Sequence, residues 1–123
     1  MPPTILVVDD DPGIQRVMAK FLELEGFAAA VAGNGQEALA YLRASVDVSA
    51  IVLDLRMPVM DGWAFRKAQR LDPEIAGIPI VVLSGADAER VQELDAAASF
   101  RKPVSFPDII DVVRRLCAGN TTV

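Results

Sequence analysis

Residues 5–24 of the chain have the sequence ILVVDDDPGIQRVMAKFLEL. The continuous apolar run at residues 5–8 is typical of a strand that is covered on both faces of a sheet. In residues 12–24 the apolar side chains recur at spacings of three and four, which predicts an amphipathic helix. Asp11 stands at the N-cap of this helix, a proline occupies its first turn, and Gly26 ends it. The stretch therefore predicts a strand, an acidic turn and a helix, in that order.

Similar strand–helix pairs follow along the rest of the chain. Further strands are predicted at residues 27–31, 50–53 (ending at Asp54), 78–83 and 98–102, and further helices at residues 34–44, 61–71, 86–96 and 106–117. Repeated units of this size imply a doubly wound α/β fold, in which a five-stranded parallel sheet carries helices on both faces.

Length and composition indicate one folded domain. The chain has 123 residues, of which 52% are hydrophobic, enough for a sizeable core and too many for a disordered segment. We therefore predict a single domain over residues 1–123, with a core at about 4–117 and a short polar tail at 118–123. The net charge of -5 disfavours a nucleic-acid interface, which needs a basic face to replace the counterions of the phosphates.

Cysteine and histidine content excludes several kinds of site. The single cysteine, Cys117, cannot form an internal disulfide framework or a cysteine-rich zinc site. The chain has no histidine, which removes the usual Ser-His-Asp and Cys-His arrangements, and any phosphohistidine must belong to another molecule. No apolar run reaches the length of about 20 residues that a membrane span needs. Residues 1–4 resemble no secretion signal, so we predict a cytoplasmic protein.

Acidic, hydroxyl and ammonium side chains follow four of the predicted strands. They are Asp9, Asp10 and Asp11 after the first strand, Asp54 at the end of the third, Ser84 after the fourth and Lys102 at the end of the fifth. Because ligands of an open parallel sheet bind at the carboxyl ends of its strands, we expect these side chains to converge on one edge. Their joint placement is a far stronger signal than any one of them.

This set of residue types suits Mg²⁺-dependent phosphoryl chemistry. Neighbouring carboxylates repel one another, and Mg²⁺ relieves that repulsion because it prefers oxygen ligands and completes its shell with water and phosphate. Asp9 and Asp10 are therefore candidate metal ligands, and Asp54 is a candidate ligand and nucleophile that can form an aspartyl phosphate. Lys102 would neutralise charge on the phosphoryl oxygens, and the Ser84 hydroxyl would donate a hydrogen bond to them.

Four segments together resemble the response-regulator receivers of two-component signalling. They are VVDDD at residues 7–11, LDLRMPVMDG at 53–62, LSG at 83–85 and RKP at 101–103. The similarity extends from residue 4 to about residue 117. It implies a flavodoxin-like receiver fold with the strand order 2-1-3-4-5. It also implies a phosphorylation-dependent switch that catalyses only its own phosphorylation and dephosphorylation.

The resemblance implies a cofactor, Mg²⁺, and a role for each residue around it. Asp54 would be the phosphoacceptor and would also bind the metal. Asp10 would be a direct metal ligand, Asp9 would bind largely through water, and Arg56 would offer its backbone carbonyl.

The resemblance also implies how the signal enters and leaves. Ser84 would be the switch hydroxyl and Lys102 the partner of the phosphoryl group, with a cis peptide before Pro103. The phosphoryl group would come from a sensor histidine kinase or a phosphotransfer protein. Phosphorylation would change the surface of the fourth helix, fifth strand and fifth helix, which would bind a downstream protein that the sequence does not identify.

Three features depart from the usual receiver pattern or are particular to this chain. Much of the family has an aromatic residue three positions before the lysine, where this chain has Ser99, and strand alternation should turn Phe100 to the opposite face. The segment 84–102 is a few residues short, which predicts a curtailed fourth helix. Arg56 and Ala86 lie at positions that tune dephosphorylation in the family, and an arginine there could reach the phosphoryl group or block attacking water.

Residues next to the motifs have simpler interpretations. Asp11 is interpreted chiefly as a helix cap, and Asp61-Gly62 as an N-cap followed by a permissive turn. Trp63 fits a partly exposed position near the site and a packed position equally well.

Two other functions remain open at this point. A pseudo-receiver would keep the fold and act as a protein-interaction module without phosphorylation, but the intact acidic set and Lys102 argue against it. An Mg²⁺-dependent phosphohydrolase would also use an aspartyl phosphate, and Asp9 and Asp11 have the spacing of its two acids. However, the candidate nucleophile Asp54 is on the third strand, and 123 residues leave no room for a cap that shapes a substrate.

Overall fold

The computed structural model describes residues 2–44, 47–85 and 90–121 of the chain. This part of the chain contains five strands: β1 (Thr4–Val8), β2 (Ala28–Ala32), β3 (Val48–Asp54), β4 (Ile80–Ser84) and β5 (Ala98–Arg101). They alternate with helices α1 (Pro12–Leu24), α2 (Gly35–Ala44), α3 (Gly62–Arg70) and α4 (Phe106–Thr121), and with a 3₁₀ helix at Val91–Leu94.

The strands form one parallel sheet in the order β2-β1-β3-β4-β5, which confirms the predicted doubly wound topology. Asp54 at the end of β3 is aligned with Leu83 of β4, and Ser84 at the end of β4 is aligned with Arg101 of β5. Since all five strands run in one direction, their carboxyl ends lie along one edge of the sheet.

Helices cover both faces of the sheet, and each face has its own buried apolar cluster. Along β1, Leu6 and Val8 belong to the cluster under α2, α3 and the 3₁₀ helix. Ile5 and Val7 belong to the cluster under α1 and α4. This alternation follows from the pleat of a strand, and it explains why strands buried on both faces have uninterrupted apolar sequences.

The start of β4 shows how local chemistry sets an element boundary. The strand predicted from residue 78 begins at Ile80 instead. Pro79 has no N–H to donate to the sheet, and only its carbonyl takes part, accepting a hydrogen bond from the Ile51 N–H at 3.0 Å. By contrast, α1 begins and ends at the residues that its periodicity predicts.

The last helix is longer than predicted. The helix predicted at residues 106–117 continues instead to Thr121, into the segment expected to be a short polar tail. This segment contains no proline, and its glycine stays within the helix, so nothing in its sequence forces an earlier end. Residues 122–123 lie outside the described residues. No helix in the described ranges, α4 included, has both the length and the apolar character needed to cross a bilayer.

The α-helix predicted at residues 86–96 is absent from the described part of that segment. Residues 86–89 lie outside the described residues, and Val91–Leu94 forms only a turn of 3₁₀ helix. Arg90 and Asp95, on either side of this turn, have left-handed backbone conformations with φ of 56° and 50°. An α-helix cannot include such residues, so the structure agrees with the expectation of a curtailed fourth helix.

Side chains of α3 hold this 3₁₀ turn in place. Arg66 donates from Nε to the Leu94 carbonyl at 2.8 Å and from Nη2 to the Asp95 carbonyl at 2.9 Å. Arg70 adds a bond of 2.8 Å from its own Nη2 to the Leu94 carbonyl. The side-chain oxygen of the fully buried Gln69 accepts a hydrogen bond of 2.8 Å from Arg66 Nη1. This bond fixes the orientation of the Arg66 guanidinium.

Candidate functional site

Three carboxylates meet at the carboxyl edge of the sheet. Asp9 and Asp10 follow β1, Asp54 is the last residue of β3, and one carboxylate oxygen of each lies within 4.8 Å of the other two. Asp9 and Asp54 are only 3% and 5% exposed, whereas Asp10 is open to solvent. The structure therefore brings together the three acids that the sequence predicts as metal ligands.

Asp9 is held by the turn that follows β1. Its Oδ1 accepts the Asp11 N–H at 2.9 Å, and its backbone carbonyl accepts a bond of 2.6 Å from the side-chain amide of Gln15. Its Oδ2 is buried and has no hydrogen-bond partner among the described residues. Burial raises the pKa of the Asp9 carboxyl, and the nearby charge of Asp54 adds to that rise.

The residues around these acids fit a hard divalent cation. The three acids share a cleft of about 320 Å³ with Arg56, Gly85 and Lys102. Every ligand that the acids offer is an oxygen, and the buried Asp9 Oδ2 has no hydrogen-bond partner in the described ranges. A hard cation would supply that partner and relieve the repulsion between the carboxylates.

Lys102 reaches the same cleft from the end of β5. Its Nζ lies 2.9 Å from Oδ1 of Asp54, and its backbone N–H donates to the Ser84 carbonyl at 2.7 Å. Burial alone would lower the pKa of the Lys102 ammonium, but its hydrogen bond to Asp54 and the charges of the acids together raise it. The ammonium is therefore held in its charged form beside Asp54. The Lys102–Pro103 peptide is cis, as the resemblance implies.

Ser84 borders the acidic cleft without lining it. The serine is the last residue of β4 and is 7% exposed. The serine lines a neighbouring cleft of about 530 Å³, together with Arg90, Ser99 and Arg101. The structure thus places four of the five residues predicted to be reactive in one cleft and Ser84 at the wall of the next.

The aspartates predicted as helix caps have that role. Asp11 Oδ1 accepts the Gly13 N–H at 2.8 Å, and Asp61 Oδ1 accepts the Ala64 N–H at 2.9 Å. These caps fix where α1 and α3 begin beside the acids.

Gly62 has a different role from the permissive turn expected of it. Its φ lies outside the left-handed region that only Gly26 adopts among the described glycines. A Cβ at position 62 would instead lie 2.7 Å from Cδ2 of Leu55 and 2.9 Å from the Asp54 carbonyl oxygen. The missing side chain lets the first turn of α3 pack directly on the end of β3. The sequence pattern predicts neither this packing role of Gly62 nor the bond from Gln15 to Asp9.

Ser99 and Phe100 have the orientation that strand alternation predicts. Phe100 packs against the apolar cluster under α1 and α4. Ser99 is exposed on the opposite face, where it lines the cleft that Ser84 borders. The position usually taken by an aromatic residue therefore presents a small hydroxyl side chain to that cleft.

Arg56 lines the acidic cleft, and Trp63 lies beside it. The guanidinium carbon of Arg56 is 6.0 Å from the centroid of the Trp63 ring. Trp63 is half-buried and packs against the apolar cluster under α2 and α3. Trp63 is therefore both a partly exposed side chain near the site and a packed one, the two alternatives that the sequence leaves open.

A parallel sheet in this strand order, with three acids and a lysine at its carboxyl edge, defines the class of flavodoxin-like receiver domains. The chain belongs to the response regulator receiver domain family, whose family model matches residues 5–114. Members of this family take part in two-component signal transduction.

Curated relatives agree with this assignment. The chain is 35% identical to the response regulator MprA of Mycolicibacterium vanbaalenii, over 98% of this chain and 53% of that protein. It is 32% identical to the response regulator Rre1 of Synechocystis, over 95% of this chain and 52% of that protein. The chain therefore spans about half the length of these relatives.

Solved structures show the same fold. The signal receiver domain of a signal transduction histidine kinase from Syntrophus aciditrophicus has a TM-score of 0.90 and 27% identity, covering 98% of this chain and 94% of that one. The chemotaxis response regulator CheY4 of Vibrio cholerae has a TM-score of 0.84 and 28% identity, covering 94% of this chain and 99% of that one.

Proposed function

We propose that this receiver domain is a phosphorylation switch in which Asp54 accepts a phosphoryl group in an Mg²⁺-dependent reaction. The observation that carries the proposal is the contact of 2.9 Å between Lys102 Nζ and Asp54 Oδ1. It lies beside two further acids whose oxygens are within 4.8 Å of an Asp54 oxygen. A carboxylate with a fixed ammonium on one side and a set of cation ligands on the other is prepared for phosphoryl transfer.

Asp9, Asp10 and Asp54 would hold Mg²⁺, with the backbone carbonyl of Arg56 as a further ligand. When bound, the ion neutralises charge on the acids and on the phosphoryl oxygens. The buried Asp9 Oδ2, which has no hydrogen-bond partner among the described residues, supports this assignment. Gln15 holds the Asp9 backbone through the bond to its carbonyl, and so keeps that carboxylate directed into the cleft.

The phosphoryl donor is a phosphohistidine of a sensor histidine kinase or of a phosphotransfer protein. These 123 residues contain no histidine, so the phosphohistidine lies outside them. An oxygen of Asp54 attacks phosphorus as the P–N bond breaks, and the electron pair of that bond returns to the imidazole, which takes up a proton. Lys102 stabilises the charge on the phosphoryl oxygens during transfer and in the aspartyl phosphate that results.

The switch itself would involve the edge of the sheet next to Asp54. A phosphoryl group on Asp54 accepts a hydrogen bond from the Ser84 hydroxyl, which draws this side chain away from the cleft that it now lines. The exposed Ser99 and Arg101 line the same cleft, so the surface at β5 changes with it. Phosphorylation then shifts the population toward a form that binds a downstream protein partner.

Intact-protein mass spectrometry tests the proposal. Wild type and Asp54→Asn are incubated with phosphoramidate, with Mg²⁺ and with EDTA instead. We expect one phosphoryl group to be added to the wild type only when Mg²⁺ is present, and none to be added to the variant. A phosphoryl group on Asp54→Asn would show that another residue is the acceptor. If the wild type gains no phosphoryl group under any condition, the pseudo-receiver is supported.

A further inference from the structure

Arg56 is a second cationic side chain at the acidic cleft. It lines the cleft of about 320 Å³ together with Asp54 and Lys102. Its guanidinium lies over Trp63, at 6.0 Å from the ring centroid, which is within the range of a cation–π contact. The guanidinium is therefore placed by an aromatic ring at the mouth of the site, although its side chain is exposed.

The Trp63 ring is tied to the backbone of Asp54. Trp63 lies in the first turn of α3, immediately after the Gly62 that packs on the Asp54 carbonyl. The Gly62 N–H also donates to the Leu55 carbonyl at 2.9 Å. Because the ring packs on the apolar cluster as well, it forms a platform whose position is fixed relative to the acceptor carboxylate.

Charge gives the guanidinium a role once Asp54 is phosphorylated. Asp9, Asp10 and a phosphoryl group of about −2 would then bring roughly four negative charges into the cleft. Mg²⁺ and Lys102 would supply about three positive charges. Roughly one negative charge would then remain for the Arg56 guanidinium to neutralise. A guanidinium can stack its face on a ring while its edge donates to phosphoryl oxygens, whereas an ammonium offers no such plane.

We propose that Trp63 is a positioning residue that holds the Arg56 guanidinium against the phosphoryl group of phosphorylated Asp54 and so prolongs the lifetime of the aspartyl phosphate. This inference rests on the proposed function. In the hydrolysis that it slows, water attacks phosphorus and the P–O bond to Asp54 breaks. The electron pair of that bond returns to the Asp54 carboxylate, and inorganic phosphate and a proton are released. A guanidinium that is held on the phosphoryl oxygens obstructs the approach of water.

The first test measures the rate of dephosphorylation by intact mass after removal of the phosphoramidate. The variants are Trp63→Leu, Trp63→Phe, Arg56→Ala and the double variant Trp63→Leu/Arg56→Ala, with Lys67→Ala as a control for loss of an exposed charge on the same helix. We expect Trp63→Leu to shorten the lifetime about two- to fivefold, the range that an exposed cation–π contact supports. Trp63→Phe should retain most of the wild-type lifetime because it keeps an aromatic face.

Non-additivity separates positioning from general destabilisation. If Trp63 acts through Arg56, the double variant should lose its phosphoryl group no faster than Arg56→Ala alone. Equal lifetimes for Trp63→Leu and wild type, or rate increases that multiply in the double variant, would overturn the proposal. A wild type that accepts no phosphoryl group would refute the proposed function and, with it, the lifetime claim.

A second measurement reads the contact without any phosphorylation. Trp63 is the only tryptophan in the chain, so tryptophan fluorescence reports on this site alone. Because the Arg56 guanidinium lies over one face of the ring, Arg56→Ala should raise the acrylamide quenching constant, and Lys67→Ala should leave it unchanged. If Arg56→Ala leaves the quenching constant unchanged, the guanidinium does not lie over the ring. Trp63 then cannot position Arg56, whether or not Asp54 is phosphorylated.

Discussion

Replacement of Gly62 by alanine tests the packing that connects α3 to the acceptor strand. The new Cβ would lie 2.7 Å from Leu55 Cδ2, 2.8 Å from Leu55 Cα and 2.9 Å from the Asp54 carbonyl oxygen. The Leu55 side chain can rotate away, but the two backbone atoms cannot, so α3 must move off the end of β3. Overpacking of this kind costs about 1–3 kcal/mol. The contact with fixed backbone favours the upper end of that range.

The net effect on the free energy of unfolding is smaller than the steric cost. Gly62 is the first residue of α3, and alanine is a better helix former than glycine by up to about 1 kcal/mol. We therefore expect Gly62→Ala to lower the free energy of unfolding by about 2 kcal/mol. The substitution should also slow phosphorylation, because a shift of α3 displaces the backbone that carries Asp54.

Urea unfolding followed by circular dichroism measures the change. The matched control is Gly77→Ala, because a Cβ at position 77 meets nothing within 4 Å and the φ of Gly77 needs no glycine. The control should lie within about 0.5 kcal/mol of the wild type, as surface substitutions usually do. If Gly62→Ala is as stable as Gly77→Ala at an unchanged m value, the direct packing of α3 on β3 is refuted.

Three further substitutions test other parts of the structure. Asp9→Asn should raise the urea midpoint at pH 7 in EDTA. Burial raises the pKa of the Asp9 carboxyl, which means that its ionised form destabilises the folded protein at this pH. That gain should shrink as the pH falls through the raised pKa and the wild-type carboxyl takes up its proton, and a pH-independent gain would contradict this cause. Val59→Asn should stabilise the protein by about 1 kcal/mol, because Val59 is β-branched, 77% exposed and has a φ of 68°. The isosteric Val59→Thr should not stabilise it, and equal stability of the two variants would argue against strain. Arg66→Lys should cost about 1–3 kcal/mol and speed amide exchange in residues 91–97, because lysine cannot make the forked bonds to the carbonyls of the 3₁₀ turn. Unchanged exchange there, compared with Lys67→Ala, would show that these bonds do not hold the turn.

The sheet and the acidic cluster could be predicted because both follow from chain order. Strands buried on both faces have uninterrupted apolar sequences, and β1 is such a strand. A parallel sheet places the carboxyl ends of its strands side by side, so a residue's position after its strand becomes its position in space. Asp9, Asp54 and Lys102 are far apart in the sequence and still meet, because each stands at the end of a neighbouring or nearly neighbouring strand.

Contacts that depend on how close two elements pack could not be predicted in the same way. The sequence DG before a helix indicates a cap and a turn, and only the packed structure shows that Gly62 lies against Asp54. Gln15 is an ordinary polar residue of an amphipathic helix until its bond to the Asp9 carbonyl is seen. The cleft that Ser84 lines also involves Arg90, Ser99 and Arg101, and the sequence does not show that these residues lie around it.

Helix α3 links three parts of the molecule that the sequence presents separately. Its first residue, Gly62, packs on the acceptor strand, and the next, Trp63, places Arg56 at the rim of the cleft. One turn further on, Arg66 holds the carbonyls at the end of the 3₁₀ turn, which leads into β5. These contacts belong to successive turns of one short helix, so the acceptor strand, the rim of the cleft and the 3₁₀ turn share one rigid element. If the phosphorylation proposed for Asp54 displaces its backbone, this element offers a second route to the β5 edge, beside the one through Ser84.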